Sequence, residues 1–512
     1  MECTVWIESV LNACLQYIEN RKPEYEDQIK KLGEQFSEMT ESTKTEILMW
    51  FENNLDWQGI STIYSVLIQF TASTEFSDAL FEYLQNRELS YEEGVDYCVN
   101  MSVYSKGTYL QLRNLYHKVC GICEETLNIN PEYIPVEKRN KNRVVIVTEQ
   151  ILGVRHSPTR VVLQQAYTFQ KRLGYEVFIV TVPSTHVLQN WINPAIFNYD
   201  LNADNHFWKK EFKGEVFLGF QLLYGDRGIE PYKAMYYRLK EWNPLFVLYM
   251  GVFNPYSEIF HTFTTCVAQK MSEGLAVSEA DILIAGEDVK KTEDYRIYER
   301  YYKTKQTLLT MEHVPQYYEM STSDLSRADR GYKEESFLIA VVGNRLGKDI
   351  DETFIEVLKS LLEYDDSIEI VMIGEGGAVK PRLTDKVFEN RVYYQGYCKD
   401  LMAEYKVLDL YLNPFRQGGG FSAYMALSAG VPVLSLNQGD VSGNVGKDFC
   451  VETKEDMISW VKDYLTDNAF KEQILMKVQN FRSQNSEEVF WNGMERNTRK
   501  IIECVMKHDL KS

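Results

Sequence analysis

The chain has 512 residues, with 55 Lys and Arg against 74 Asp and Glu, a formal charge of −19 and an isoelectric point near 5. An apolar fraction of 45% beside 25% charged residues is the composition of packed protein and excludes disorder. The acidic excess argues against nucleic acid or an anionic lipid surface as partner, and the length predicts about three domains.

No run approaches the roughly 20 apolar residues of a spanning helix, so no transmembrane segment is expected. Glu2, Glu8 and Glu19 stand where a secretion signal would be basic and then apolar, which predicts a cytoplasmic protein. Nine cysteines, an odd number, suit reduced thiols better than a disulfide framework. Cys120 and Cys123 form a CxxC with no second pair and no zinc-like histidine spacing, so no metal site is expected.

From Val5 to about Asn128 apolar residues recur at three and four positions, as in Val10, Leu11, Leu15, Ile18 and Ile47, Leu48, Phe51, Leu55. That period predicts an all-helical accessory domain over residues 1–130. Asn128 to Asn142, with two prolines and a charged run, reads as a linker. Arg143 opens a different pattern: the apolar run Val144 to Val147, a polar loop, an amphipathic helix from about Thr159 to Leu173, and a second run Val177 to Val182. Strand, helix, strand in about forty residues is a βαβ unit and predicts a parallel sheet. Runs at Val216 to Phe220, Leu245 to Met250, Ile282 to Ala285 and Thr307 to Leu309 extend it to a Rossmann-like domain over 142–320.

Ser321 to Glu335 is polar and aperiodic, a second linker. Phe337 to Val342 then starts a second doubly wound domain over 334–485, with helices at Glu352 to Leu362, Leu401 to Lys406 and Phe421 to Ala429. Its further strands are predicted at Ile368 to Ile373, Val392 to Tyr394, Leu408 to Leu412 and Val431 to Leu436. A last helix over 486–507 carries Phe490, Trp491, Ile501 and Ile502 and is expected across the domain junction. The fold class is thus α/β, two tandem Rossmann-like domains preceded by an all-α domain. Sheets of this kind take ligands outside the carboxyl ends of their strands, which predicts a cleft between the two domains.

The most informative segment is Tyr411 to Leu434: an apolar strand, Asn413, three glycines at Gly418, Gly419 and Gly420, Phe421, a helix beginning near Ser422, then Gly430-Val-Pro432 and another strand. Glycines admit a ligand close to the backbone, and free amides at the positive end of a helix favour a phosphate or diphosphate, with the Ser422 hydroxyl as a further donor. A tight turn without a ligand is the alternative. Gly418-Gly-Gly-Phe-Ser422 with Ala429-Gly-Val-Pro432 resembles the donor-binding motif of nucleotide-sugar glycosyltransferases of the GT-B fold, of the GT4-like (group 1) kind with some O-GlcNAc-transferase-like character. Val341-Val-Gly-Asn-Arg-Leu-Gly-Lys348 resembles the strand and loop that open the donor domain of such enzymes. Ile373-Gly-Glu-Gly376 resembles the following Gly-rich turn, and Tyr394-Gln-Gly-Tyr397 the turn that borders the base. The resemblance covers about Arg143 to Phe490.

It implies a metal-independent hexosyl or N-acetylhexosaminyl transfer from a UDP-sugar to a glycan or protein, with the UDP-sugar as co-substrate and no other cofactor. Arg345, a planar guanidinium suited to phosphate oxygens, and Lys348 are the expected clamp on the leaving diphosphate, each with a surface role as the alternative. Glu375, Tyr397, Asn413 and Gly418 to Ser422 complete the expected donor site. Met425 stands where such enzymes commonly have a carboxylate for the donor ribose, and Gln417 where another is frequent; Glu375, Gln417 and Asp440 are the candidate replacements. The amino-terminal Rossmann-like domain is then expected to face the acceptor. Its first loop holds Glu149, Arg155, His156 and Thr159; His156 suits a general base, and equally a phosphate, a backbone group or a helix cap. Asn254, in the later loop Met250 to Tyr256, is expected on the acceptor side, and Glu312-His313 is either a third polar point facing the cleft or, the reading preferred, a hinge contact.

Two rivals stand beside the enzyme: a non-catalytic pseudo-glycosyltransferase serving as an interaction subunit, motivated by Met425, and a nucleotide-sugar epimerase. The charge divides into −12 over residues 1–140, 0 over 141–330 and −7 over 331–512. The helical domain is therefore expected as a separate acidic module able to meet a basic protein partner.

Overall fold

The computed structural model describes residues 2–509 except 72, 106, 155, 183–190, 193–205, 223–228, 252, 272–273, 315–316 and 417–418. The chain divides into two units, Met1–His313 with Met494–Ser512, and Val314–Gly493.

The first unit opens with seven helices, α1 (Glu2–Asn20), α2 (Pro23–Glu38), α3 (Glu41–Asn54), α4 (Trp57–Phe70), α5 (Glu75–Asn86), α6 (Tyr91–Tyr104) and α7 (Tyr109–Leu127). Their starts are written in the sequence: Thr40, Asp56, Ser90 and Thr108 each accept a first-turn amide, and Ser90–Glu93 and Thr108–Gln111 close reciprocal capping boxes. Then follow β1 (Asn140–Thr148), α8 (Ser157–Tyr167), β2 (Glu176–Thr181), β3 (Phe207–Phe212), β4 (Glu215–Gln221), α9 (Glu230–Trp242), β5 (Pro244–Gly251), α10 (Pro255–Glu258), β6 (Thr265–Lys270), β7 (Ile282–Gly286), α11 (Glu293–Tyr301) and β8 (Thr307–Met311). The eight strands lie in the order β3-β4-β2-β1-β5-β6-β7-β8, parallel except for the antiparallel β3.

The helices do not stand apart as an accessory module. One continuous core runs from Trp6, Phe36 and Leu80 through Tyr116 to Val145, Val180 and Tyr249 on one face of the sheet. Buried polar bonds cross the same seam: Tyr116 Oη donates to Glu258 Oε1 at 2.8 Å, Tyr109 Oη to the Ala276 carbonyl at 2.8 Å, and Arg113 Nη2 to Gln306 Oε1 at 3.1 Å. The second linker contains a turn of helix, α12 (Arg327–Arg330), closed by a Ser326–Asp329 capping box. β1 starts inside the first linker, because Asn140 already donates to the Asn243 carbonyl at 3.2 Å.

The second unit continues with β9 (Phe337–Gly343), α13 (Leu346–Asp349), α14 (Glu352–Tyr364), β10 (Ile368–Gly374), β11 (Val392–Gly396), α15 (Leu401–Tyr405), β12 (Leu410–Leu412), α16 (Gly420–Ala429), β13 (Val433–Leu436), α17 (Gly439–Val445), β14 (Cys450–Val451), α18 (Lys454–Thr466), α19 (Asn468–Gln484) and the start of α20 (Glu487–Asp509). The six strands run in parallel in the order β11-β10-β9-β12-β13-β14. Phe354 and Leu358 of α14 and Met457 and Val461 of α18 cover one face; Met402 of α15, Ala423 and Leu427 of α16 and Val478 of α19 cover the other. Burial on both faces explains why these strands read as unbroken apolar runs. The chain leaves β9 for β10 on one side and returns to β12 on the other. The order of strands therefore reverses between β9 and β12, and at such a point the loops diverge and leave a crevice at the carboxyl ends.

Candidate active site

Two segments flank that crevice, residues 344–349 after β9 and 413–416 after β12. They are joined by Arg416, which is 7% exposed. Its Nη1 meets Asp349 Oδ2 at 3.0 Å, its Nη2 donates to the Val342 carbonyl at 2.7 Å and to Tyr411 Oη at 3.1 Å, and its Nε donates to Asn413 Oδ1 at 3.2 Å. Two glycines make room for it. A Cβ on Gly343 or on Gly419 would collide with the guanidinium, and Gly419 also has φ of +110°, a conformation that favours glycine. Gly374, at the end of β10 with φ of +103°, leaves no room for a Cβ against the Gly343 carbonyl. Internal packing thus accounts for these glycines without any ligand.

Outward from this buried arginine the charge changes character. Asp349, 12% exposed, stands between Arg416 and Arg345, whose Nε lies 4.0 Å from Asp349 Oδ1 and whose side chain is 69% exposed. Lys348 is exposed and makes no ion pair among the described residues. The loop after β9 therefore holds two solvent-facing cations, and the loop after β12 leads into the amino terminus of α16. The amides of Phe421 and Ser422 lie in its first turn, where no carbonyl of the helix itself can accept them. Together with the helix dipole this makes a positive environment for a phosphate group.

The other expected donor-site residues divide into those that face solvent and those that do not. Glu375 is exposed at the turn after β10, Tyr397 is 73% exposed after β11, and Phe421 is 49% exposed. Asn413 is buried: its amide donates to Ser435 Oγ at 3.2 Å and its oxygen accepts from Arg416, so it supports the loop from within. The Ser422 hydroxyl, expected as a donor to ligand, donates to the Gly419 carbonyl at 2.9 Å and pairs with Tyr411 Oη at 3.0 Å. Met425 packs half-buried against the core around Tyr424 and Leu427. Gln417 and Gly418 lie outside the described residues, as do Arg155 and the side chain of Asp440. Arg416 and Asp349 escaped the sequence reading; the signal was an arginine two residues before the first motif glycine, the one charged residue between Tyr411 and Leu434.

In the first unit the order of strands reverses between β1 and β5, and the loops that follow them carry the expected acceptor residues. Glu149 is buried, accepting from the Tyr249 hydroxyl and from the Phe253 amide at 3.3 Å. Asn254 is fully buried; it caps α10 by accepting from the Ser257 amide at 3.2 Å and donates to the Val182 carbonyl at 2.9 Å. Thr159 is fully buried and accepts from the Leu152 amide at 2.8 Å. These three build the loop. His156 is only half-buried, with Nδ1 3.0 Å from Thr159 Oγ1, and burial lowers its pKa below the ordinary value, which favours the neutral ring. No group of metal-ligating side chains occurs among the described residues, and none of the described helices is long and apolar enough to cross a membrane.

Residues 337–467 match the family model of glycosyl transferases group 1, a span that begins at β9 and runs through α18. The second unit thus contains a group 1 glycosyltransferase domain, and its chemistry is glycosyl transfer. No curated protein sequence matches the chain. Among solved structures it is similar to a mutant of the O-GlcNAc transferase of Thermobaculum terrenum, at 12% identity and a TM-score of 0.48 over 99% of this chain and 98% of that one. It is also similar to a sucrose-phosphate synthase from Thermosynechococcus elongatus, at 11% identity and a TM-score of 0.48 over 72% of this chain and 99% of that one.

Proposed function

We propose that the chain moves a hexosyl or N-acetylhexosaminyl group from a UDP-sugar to a glycan or protein acceptor, and that it balances the leaving diphosphate with its own cations rather than with a metal ion. The observation that carries this reading is the pair of exposed cations, Arg345 and Lys348, on the segment after β9, with the neighbouring strand β12 leading into the open first turn of α16, in a group 1 domain. In the transfer an acceptor oxygen bonds to the anomeric carbon while the bond from that carbon to the β-phosphate oxygen breaks. Charge grows on the diphosphate as it leaves, where a guanidinium and helix amides are most effective. Asp349 limits where Arg345 can reach without neutralising it, since at 4.0 Å the contact is loose. Glu375 is the exposed carboxylate available to the donor hydroxyls in place of Met425. For the acceptor proton the candidate is His156: when its Nδ1–H donates to Thr159, Nε2 presents a lone pair.

Calorimetric titration with UDP tests the donor site. Arg345→Ala is expected to weaken binding by about 1.5 to 3 kcal/mol, the range for a hydrogen bond to a charged group. Unchanged affinity would place the diphosphate elsewhere. Met425, packed into the core where a ribose ligand is expected, favours a second reading, an interaction subunit without catalysis; absence of UDP binding at millimolar concentration would select it, and hydrolysis of a UDP-sugar would exclude it.

A further inference from the structure

The hairpin β3–β4 widens the first unit's sheet beyond β2, and its register sets Phe207, Phe220 and Val180 side by side on one face across three strands. Against that face stands α9, with Met235, Leu239 and Trp242 spaced along one side of the helix. Between them is a cavity of about 180 Å³ with an apolar lining. Phe178 and Trp242 hold their rings 6.0 Å apart, Phe207 and Phe220 theirs 5.3 Å apart, and the Arg143 guanidinium lies 5.3 Å from the centre of the Trp242 ring. The walls are thus fixed by ring contacts before anything binds. Phe207 is 63% exposed and Leu218, beside it on the same face, 56% exposed, so the cavity opens to solvent across an apolar rim. An apolar cavity of about 150 Å³ holds a benzene molecule. This one has room for a ring and a short alkyl extension.

One lining residue is charged. Arg238, on the exposed side of α9, contributes to the cavity and makes neither an ion pair nor a hydrogen bond among the described residues. A cation without a partner at the mouth of an aromatic pocket complements an amphipathic anion. We propose that this pocket binds an aryl or short alkyl group carrying one anionic substituent, with the apolar part among Phe178, Phe220 and Trp242 and the anion on Arg238.

The test uses the full chain and 3-(4-bromophenyl)propanoate, whose bromine quenches a tryptophan it touches. Saturable quenching of part of the fluorescence is expected, and Trp242→Phe should remove it while calorimetry still registers the ligand. Arg238→Gln should weaken the carboxylate about fivefold, the upper range for an exposed ion pair, and leave the corresponding alcohol unchanged. Absence of saturable quenching, quenching that survives Trp242→Phe, or equal loss of acid and alcohol in Arg238→Gln would each overturn the proposal. So would a dimer in sedimentation that excludes the probe until Leu218→Asp disperses it, which would assign the face to a second copy.

Discussion

Replacing Arg416 by Met keeps most of the side-chain volume and removes the charge that joins the two loops of the crevice between β9 and β12. The variant leaves Asp349, 12% exposed, with only Arg345 at 4.0 Å, removes the donor to the Val342 carbonyl at 2.7 Å, and leaves the Asn413 oxygen with the Tyr411 hydroxyl at 3.4 Å alone. Removing one partner of a buried ion pair costs about 3 to 5 kcal/mol, because the other charge stays desolvated without compensation. Asp349→Asn keeps an oxygen in place and is expected to cost less, about 1 to 3 kcal/mol. In the double variant the orphaned carboxylate is gone, so its cost should fall short of the sum by at least about 1 kcal/mol. Hydrogen exchange read by mass spectrometry on the full chain measures this locally, through the opening free energy of the β9 and β12 amides, and does not require the two units to unfold together. A single-variant cost below about 1 kcal/mol, or strict additivity in the double variant, would refute the assignment of Arg416 as the tie between the loops.

Glu258 supplies a pH dependence with a definite sign. Its carboxyl is buried at the seam between α7 and the sheet, faces Tyr116, Ser278, Glu279 and Arg113, and burial holds its pKa up at about 7. With the folded pKa above the ordinary 4.5, the contribution is fully present below about pH 4.5 and is lost as the pH rises through 7, on the order of 3 kcal/mol in all. Thermal melts from pH 5 to pH 8.5 should therefore show wild type falling relative to Glu258→Gln; parallel curves would contradict it. Gly251→Ala places a Cβ against the Glu149 carboxylate and the Tyr249 hydroxyl, both of which are buried. A loss of at least about 2 kcal/mol in chemical denaturation is expected from the overpacking, and a neutral result would mean that the loop after β1 is softer than its burial implies.

What could be read in the sequence depended on whether a residue's environment is set locally. β9, β10 and β5 are buried on both faces, so Phe337 to Val342, Ile368 to Ile373 and Leu245 to Met250 announce themselves as apolar runs. β3, Phe-Trp-Lys-Lys-Glu-Phe over Phe207–Phe212, is an edge strand with alternate side chains exposed, and its two lysines hide it. Helix α7 shows the same limit at the level of domains. Its period is plain, yet nothing within Tyr109–Leu127 announces that Tyr109, Arg113 and Tyr116 bond to residues 142 to 193 positions later, so the helices read as a separate module. The two arginines of the crevice between β9 and β12 make the case most sharply. Arg345 and Arg416 both sit beside glycines in loops that follow buried strands, and local chemistry alone offers either one to a phosphate. Asp349 separates them: it pairs closely with the arginine 67 positions away, which it draws to 7% exposure, and only loosely with the one four positions away, which stays 69% exposed. The arginine that organises the crevice and the arginine that faces solvent are thus told apart by one long-range carboxylate.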